Sequence, residues 1–478
     1  MSSTSALIDI GGSSVKVTIT DLSSGRTFEE QLPLNPVVRE RHVYLETEAL
    51  FEKIVEVMNL AVQNLPHSLR IEKIFISTIR QGFSLIKGGA EVTPLILNSD
   101  TTGSFSQADI EEYGSRRIYE ETGHWFSPQL TLPKLIQLRR VDSTLFEGDT
   151  RLLFAHDWLV WRLSNQMVTE MTLVSGGQLA FLPEKRVHYG LLEHFNFSPD
   201  LIPAPRKFGE IVGAIRPQVL RLLSHQWQSS QILVGGGDSH FLHAGASGNK
   251  LHRVVVSAGS STPISLLSSD LVISGPLQPW KSTSFSSESY LLEGNLGYPG
   301  MFYDWLRKQG EIEAQKITIP NITKAPTIFG SCNVWNESKW ENRPAFSILN
   351  GGAGRSISEI AFGLTLDYAF ALTNQLTLLI SEGVPIEDVV VTGGGAHPAL
   401  VQITQALLDI PVSHIEPAAA ISNLFKLLEN PKEAVLEQGT SYPELAADVK
   451  GALLKRAALH SEMYLQVEGT RQVIQYVS

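Results

Sequence analysis

The stretch ALIDIGGSSVKVTIT, residues 6–20, decides which fold the chain can adopt. Two short runs rich in β-branched residues, 6–10 and 15–20, flank Gly-Gly-Ser-Ser, a pattern that predicts a β-hairpin closed by a tight turn. A dinucleotide-binding fold would instead need strand, glycine turn and helix, and the chain holds neither GxGxxG nor GxxxxGK[ST]. The hairpin pattern returns in HRVVVSAGSSTPISLL, residues 252–267, where Ala-Gly-Ser-Ser again separates two apolar strands. The tetrapeptides GGSS (11–14) and AGSS (258–261) hold the same place in two similar hairpins, which predicts an internal duplication with a second half starting near residue 250.

A second pair of echoes points the same way. QILVGGGDSH (231–240) and VVVTGGGAHP (389–398) each run an apolar strand into three glycines. Pro398 then opens a helical segment, ALVQITQALL, as proline does in a first turn. Upstream, SISEIAFGLTLDYAFALTNQLTLLISEG reads as one long helix, with Ser356 and Glu359 at capping-box spacing and Gly383 as its stop. Strands alternating with helices indicate α/β domains on mixed sheets. The Pro- and Ser-rich residues 268–287 have surface-loop composition.

At 478 residues, with 43% hydrophobic and 18% charged content, the chain has room for two or three domains with sizeable cores. A formal charge of −11 and the lack of a Lys/Arg cluster argue against nucleic-acid binding. KRAALH (455–460) reads as a solvated helix face. The one cysteine, Cys332, allows no internal disulfide and no CxxC, in keeping with a reducing cytoplasm. The N-terminus lacks a basic region followed by an apolar core, and no apolar run is long enough for a membrane span. The expectation is a cytoplasmic protein without membrane or nucleic-acid partners.

Glycine–serine turns let backbone N–H groups approach an anion, while the hydroxyls add donors for phosphate oxygens. Either hairpin alone is an ordinary tight turn; together, with Asp9 and Lys16 flanking the first, they suggest paired phosphate loops. Asp9, ending the first strand, could hold hydrated Mg2+ beside those phosphates. VVVTGGGAHP suits a nucleoside lying against glycine backbone at a strand's C-terminal end, whereas a plain strand-to-helix link seldom needs three glycines. Asp238 admits three roles. It can N-cap the helix that follows. It can belong to a GDS esterase motif with Ser239 as nucleophile, but the motif lies mid-chain, no later aspartate has His three positions on, and GxSxG is absent. Or it can be a general base that takes the proton of a hydroxyl attacking a phosphoryl group. His240, His243 and His252 lack metal-ligand spacing and read as structural.

As a set, these motifs resemble the FGGY family of carbohydrate kinases, within the actin-like ATPase superfamily. DIGGSSVK is similar to its first phosphate loop, SAGSSTP to its second, and VVVTGGGAHPALVQITQALLDIPV to its adenosine motif. GGGD is similar to the segment carrying the catalytic aspartate. AHDWLVWRLSNQMVTEMT, EETGHWFSPQLTLPKLIQLRR and FGEIVG resemble further family segments, so the likeness runs from Ile8 to about Leu427. It implies an α/β fold of two actin-like (ribonuclease H-like) domains, mixed sheets flanked by helices with an interdomain cleft between them. Residues 1–248 would carry the sugar side, the first phosphate loop and the catalytic Asp, and residues 249–478 the second phosphate loop and the adenosine motif.

The resemblance implies ATP and Mg2+ as cofactors, with Asp9 at the metal–phosphate end. Gly11, Gly12, Ser13, Ser14 and Lys16 would surround the phosphates from one side, and Gly259, Ser260 and Ser261 from the other. Gly393, Gly394, Gly395 and Ala396 would hold adenosine. Asp238 becomes the general base, and Arg80, Gln81 and Asp100 would contact the sugar. Family members are often homodimers. The sugar-side segments depart from common family forms: TIRQG stands for the GQMHG of xylulose kinases, Thr102 where Arg is common, Glu170 where Asp is usual, and GSCNVWNESKWENRP for GER.P.WD. The expected activity is phosphorylation of a hydroxyl of a small ketose or polyol. The alternatives are a non-catalytic sugar or nucleotide sensor, a kinase for an autoinducer-2-type substrate, and an actin-like exopolyphosphatase.

Overall fold

The computed structural model describes residues 4–22, 24–259, 261–271, 278–286, 288–297, 299–310, 317, 319, 322–329, 332, 347–349, 354–429 and 434–477. The chain divides into two compact units. The first comprises Met1–Gly245, Lys281–Leu291 and Leu424–Val435; the second comprises Ala246–Trp280, Leu292–Asn423 and Leu436–Ser478.

The first unit opens with the anticipated hairpin, β1 (Thr4–Ile10) and β2 (Ser14–Asp21), followed by β3 (Arg26–Pro33) and helix α1 (Thr47–Ala61). Then come β4 (Lys73–Thr78), β5 (Phe83–Lys87), α2 (Thr131–Val141), α3 (Ala155–Ser164) and α4 (Met171–Gly176). The run ends with β6 (Ile211–Ala214), β7 (Gln231–Leu233), β8 (Gly236–Gly237) and α5 (Asp238–Ser247). The main sheet has the order β6-β7-β4-β1-β2-β3, and β8 adds to β4. Pairs β7–β4 and β4–β1 are parallel, while β6–β7, β1–β2 and β2–β3 are antiparallel, so the sheet is mixed. Ala6, Ile8 and Ile10 on β1 and Ile74 and Ile76 on β4 are fully buried. They pack with Ile54, Val57 and Met58 of α1 and with Trp158 and Leu159 of α3. With the period-two alternation of a strand, these residues all lie on one face of the sheet, the face that the two helices cover.

The second unit repeats the plan. Strands β9 (Arg253–Ser257) and β10 (Pro263–Ser268) form its hairpin. Helix α6 (Ile357–Ser381) leads to β11 (Asp388–Thr392), α7 (Pro398–Leu407), β12 (Val412–His414) and α8 (Ala447–Val477). Four strands run β10-β9-β11-β12, with β9–β11 and β11–β12 parallel. The order β2-β1-β4-β7 in the first unit has the same sequence of antiparallel, parallel and parallel pairs, so the two hairpins are structural equivalents. The glycine runs are not: GGG of 235–237 follows the strand in third place from the hairpin turn, whereas GGG of 393–395 follows the second. Similar composition there reflects separate steric demands.

Local expectations for α6 hold in detail. The Ser356 hydroxyl accepts from Glu359 N at 3.2 Å, Glu359 accepts from Ser356 N at 2.9 Å, and Gly383 sits at φ +82° past the end. Pro398 opens α7 at its first position. Two expectations fail. Within 268–287, Trp280–Thr283 is a buried strand; residues 272–277 and 287 lie outside the described residues. KRAALH is only in part a solvated face, because Arg456 donates to the carbonyls of Ile322 (2.5 Å) and Ala325 (3.1 Å). His460 Nε2 bonds Asp367 Oδ1 at 2.6 Å with both residues buried. Among the described residues no helix is long and apolar enough to cross a membrane.

Candidate active site

Strand register in the first unit gathers the sequence candidates. Asp9 on β1 pairs with Lys16 on β2 and with Ser77 on β4, and Ser77 pairs with Gly236 on β8. Lys16, Asp9, Ser77 and Gly236 therefore form one row across four adjacent strands. At a strand spacing near 4.8 Å, Asp9 and Gly236 stand about 10 Å apart. Strands β1, β4 and β8 run parallel and end at Ile10, Thr78 and Gly237. The turn at Gly11–Ser13, the turn at Arg80–Gln81 and Asp238 thus emerge from the same edge, the carboxyl end where open α/β sheets bind ligands.

Asp9 is half-buried and its Oδ1 accepts the Ser77 hydroxyl at 2.7 Å. Burial raises its carboxyl above the usual range against the opposing pull of Ser77 and Lys16. Among the described residues no group of three or more His, Cys, Asp or Glu could hold a metal ion. A single carboxylate whose charge is costly to bury still suits Mg2+, which keeps most of its shell as water and phosphate oxygens. Gly12 and Ser13 are exposed; the turn is closed by Gly11 N donating to Ser14 O at 2.9 Å. The Lys16 ammonium lies 3.4 Å from Glu29 Oε2 on β3, an ion pair that competes with any phosphate.

Asp238 is the first residue of α5, half-buried, and its Oδ1 accepts the Ser239 N–H at 2.7 Å. The three glycines before it answer to packing. A Cβ on Gly235 would stand 1.9 Å from the Ile76 carbonyl oxygen. On Gly236 it would meet Phe285 at 2.7 Å and Thr172 Oγ1 at 2.9 Å, and on Gly237 the Arg80 Cγ at 2.5 Å. Packing therefore accounts for the glycines of GGGD, since protein atoms already fill the space beside each of them.

Arg80 and Gln81 sit in the β4–β5 turn, each only 7% exposed. The Arg80 side chain crosses Gly237 and Gly176, which ties the turn to the segment before Asp238. Its charge adds to burial in holding His240 and His124 well below the ordinary histidine range. The Gln81 carbonyl accepts from Lys134 Nζ at 3.1 Å, and the same ammonium donates to Leu97 O at 2.8 Å. Lys134 is fully buried on α2, and that burial pushes it down to about 7.

Asp100 does not fit a sugar contact. It is fully buried, with Oδ1 accepting from Thr102 N (2.9 Å) and Thr102 Oγ1 (2.5 Å), and Oδ2 accepting from Val43 N (3.0 Å) and bonded to His42 Nδ1 (3.1 Å). Oδ1 shapes its own loop and Oδ2 ties that loop to the strand His42–Leu45, so both oxygens are committed.

Glu170 N-caps α4, accepting from Thr172 N at 2.7 Å and from the Thr172 hydroxyl; burial pushes its carboxyl up to about 8. Behind the Asp238 segment, the Gly235 N–H donates to His156 Nε2 at 2.9 Å, and His156 Nδ1 bonds Asp157 Oδ1 at 2.8 Å. Neither Lys134 nor His156 was singled out from sequence. Each interrupts an apolar helical run, TLPKLIQL and FAHDWLVW, which is the signal that could have marked it.

In the second unit the two candidate loops are held together. Ser257 and Thr392 pair at the ends of β9 and β11; Ala258 N donates to Thr392 O at 2.6 Å and Gly395 N to Ala258 O at 2.7 Å. Gly393 has φ +102°, and a Cβ there would lie 2.7 Å from Ala258 O, so this position needs glycine. Gly394 is exposed with nothing within 4 Å of a Cβ, leaving a flat open face on backbone; Gly395 is half-buried and Ala396 buried. Gly259 N donates to Ser261 O at 3.2 Å. Ser260, and residues 330–344 apart from Cys332, lie outside the described residues.

Residues 5–242 match the FGGY family of carbohydrate kinases, N-terminal domain. YoaC of Bacillus subtilis (strain 168), named as a sugar kinase, is 25% identical over 257 residues, 53% of this chain and 51% of that protein. The xylulose kinase of Escherichia coli (strain K12) is 21% identical over 457 residues, 90% of this chain and 91% of that enzyme. The ligand-bound xylulose kinase structure from Lactobacillus acidophilus superposes with a TM-score of 0.82 at 14% identity, covering 97% of this chain and 98% of the other, and so has the same fold. The duplicated hairpin sheets, the row from Lys16 to Gly236 and these likenesses agree: the chain belongs to the FGGY family of carbohydrate kinases.

Proposed function

We propose that the protein transfers the terminal phosphoryl group of ATP to a hydroxyl of a small carbohydrate, a ketose such as a pentulose or else a polyol, with Asp238 as general base. The observation that carries this is the register row that aligns Asp9, Ser77 and Gly236 at the carboxyl edge from which Asp238 emerges. In this reading residues 1–248 bind the sugar and residues 249–478 the nucleotide. Arg80 and Gln81 wall the sugar, and Asp100 supports their surroundings. Gly11, Gly12, Ser13, Ser14 and Lys16 serve the phosphates from the first unit; Gly259, Ser260 and Ser261 serve them from the second. Gly393, Gly394, Gly395 and Ala396 carry the adenosine, with Gly394 as its open platform.

Phosphoryl transfer asks a protein mainly for alignment, charge neutralisation and a base. Asp238 accepts the hydroxyl proton as the oxygen attacks phosphorus. Mg2+, held through water at Asp9, would neutralise charge on the phosphates.

An ADP-release assay over pentuloses, hexuloses, polyols and linear diones tests this, with Asp238→Asn alongside. Loss of the base should lower kcat on the order of 10²- to 10⁴-fold. Full activity in Asp238→Asn would refute the assignment. Saturable sugar binding without turnover on any compound would favour a non-catalytic sensor, which the engagement of Lys16 with Glu29 gives some ground to consider.

A further inference from the structure

Sugar turn and base-bearing segment share a brace at the start of α3. Ala155 N donates to Gly82 O at 2.9 Å, which fixes the residue after Gln81. One position on, His156 Nε2 accepts the Gly235 N–H at 2.9 Å. Gly235 is pinned on its other side by the Ile76 carbonyl, against which not even a methyl group fits. His156 and Asp157 are both fully buried.

The tautomer follows from the partners. Nε2 receives a proton from Gly235, so in the neutral ring the hydrogen must reside on Nδ1, which donates to Asp157 Oδ1 at 2.8 Å. The other oxygen of Asp157 accepts the Phe154 N–H at 3.3 Å. Asp157 thus orients the ring, and the ring presents an acceptor to the first glycine of the segment that ends in Asp238. A backbone N–H between a close-packed strand and a fixed acceptor has little freedom, and three residues later that rigidity reaches the carboxylate.

We propose that His156, oriented by Asp157, is a positioning residue that sets the Gly235–Asp238 segment so that Asp238 meets the substrate hydroxyl. The functional half rests on Asp238 being the general base; the structural half does not. In His156→Leu the Gly235 N–H loses its acceptor, and kcat should fall roughly 10- to 100-fold, the scale of an ångström-level misplacement, while KM for sugar and for ATP stays within about twofold. His156→Gln keeps an acceptor and should recover most of the activity. Asp157→Asn should behave like the Leu variant. Its carbonyl oxygen is wanted by Phe154 N, so its amide turns a donor to Nδ1 and forces the hydrogen onto Nε2, against Gly235.

The test combines steady-state kinetics with 15N spectra of histidine- and glycine-labelled protein. Expected are an Nδ1–H signature for His156 in the wild type, its loss in Asp157→Asn, and a moved Gly235 amide in Asp157→Asn and His156→Leu. If the Leu variant does not fold, Asp157→Asn carries the same comparison. Equal kcat for the Leu and Gln variants, or an Nε2–H signature in the wild type, overturns the proposal. Should Asp238→Asn prove fully active, the general-base assignment is what fails. The Gly235 amide then decides the positioning: unmoved in His156→Leu overturns it, moved sustains it.

Discussion

Lys134 offers the most quantitative test of the site's construction. Its ammonium is fully buried and bonded to two backbone carbonyls, Gln81 O and Leu97 O. Burial moves it from the ordinary lysine value of 10.5 to about 7, against a smaller opposing pull from Asp100. The sign follows from proton counting. Between about 7 and 10.5 the unfolded chain holds this proton and the folded chain does not. Stability is therefore highest above the unfolded value and falls as pH drops through the window, by about 1.4 kcal/mol per unit. Below about 7 both states are protonated and the slope vanishes. Lys134→Met removes the titration and leaves the two carbonyls short of a donor at every pH, an offset that does not vary. Urea unfolding of both proteins from pH 6 to 9 isolates the group by subtraction. The wild-type-minus-mutant difference should be nearly flat below pH 7 and rise by about 2 kcal/mol from 7 to 9. A difference flat across the whole range would refute the reasoning, since Lys134 would then stay charged in the folded protein.

Four further outcomes follow from the glycines and the Arg80–Gln81 turn. Gly394→Ala adds a methyl group to open space, so stability should hold within about 0.5 kcal/mol, while KM for ATP rises and KM for sugar does not; an unchanged ATP KM would remove Gly394 from the nucleotide site. Gly393→Ala, at φ +102° and 2.7 Å from Ala258 O, should instead cost about 1–3 kcal/mol in urea unfolding. Gly235→Ala puts its methyl 1.9 Å from the Ile76 carbonyl and should destabilise by about 3 kcal/mol or more, and a variant of wild-type stability would contradict the packing described for that segment. Gln81→Ala should raise KM for sugar and leave KM for ATP alone; the reverse would place Gln81 elsewhere.

What could be read in advance was whatever depends on neighbours in sequence. Alternation around GGSS and AGSS, the Ser356/Glu359 capping box and Pro398 at a helix start are local devices, and each forms as its residues dictate. Parallel pairing is not local, and so the glycine runs misled. GGG at 235–237 and at 393–395 look alike, yet they close strands at different places in their sheets, and most of their positions are glycine because a neighbouring backbone or side chain leaves no room. Gly394 alone among them faces open space. Asp100 shows the same limit in reverse, since a polar residue in a suitable segment gives no sign that Thr102 beside it and His42 and Val43 from a distant strand already occupy both its oxygens.

The consequence reaches the chemistry. If GGG served ligand approach, Asp238 would sit on a pliant loop and its aim would depend on the bound sugar. Because Gly235, Gly236 and Gly237 are each wedged against Ile76, Phe285 and Thr172, and Arg80, the segment is rigid before any ligand arrives. If Asp238 is the general base proposed above, one fixed in this way accepts a proton only from a hydroxyl delivered to one place. On that proposal, choice among substrates falls to the shape of the Arg80–Gln81 turn, which Lys134 and α3 hold from behind, and this wall is where exchanges of sugar preference should be sought.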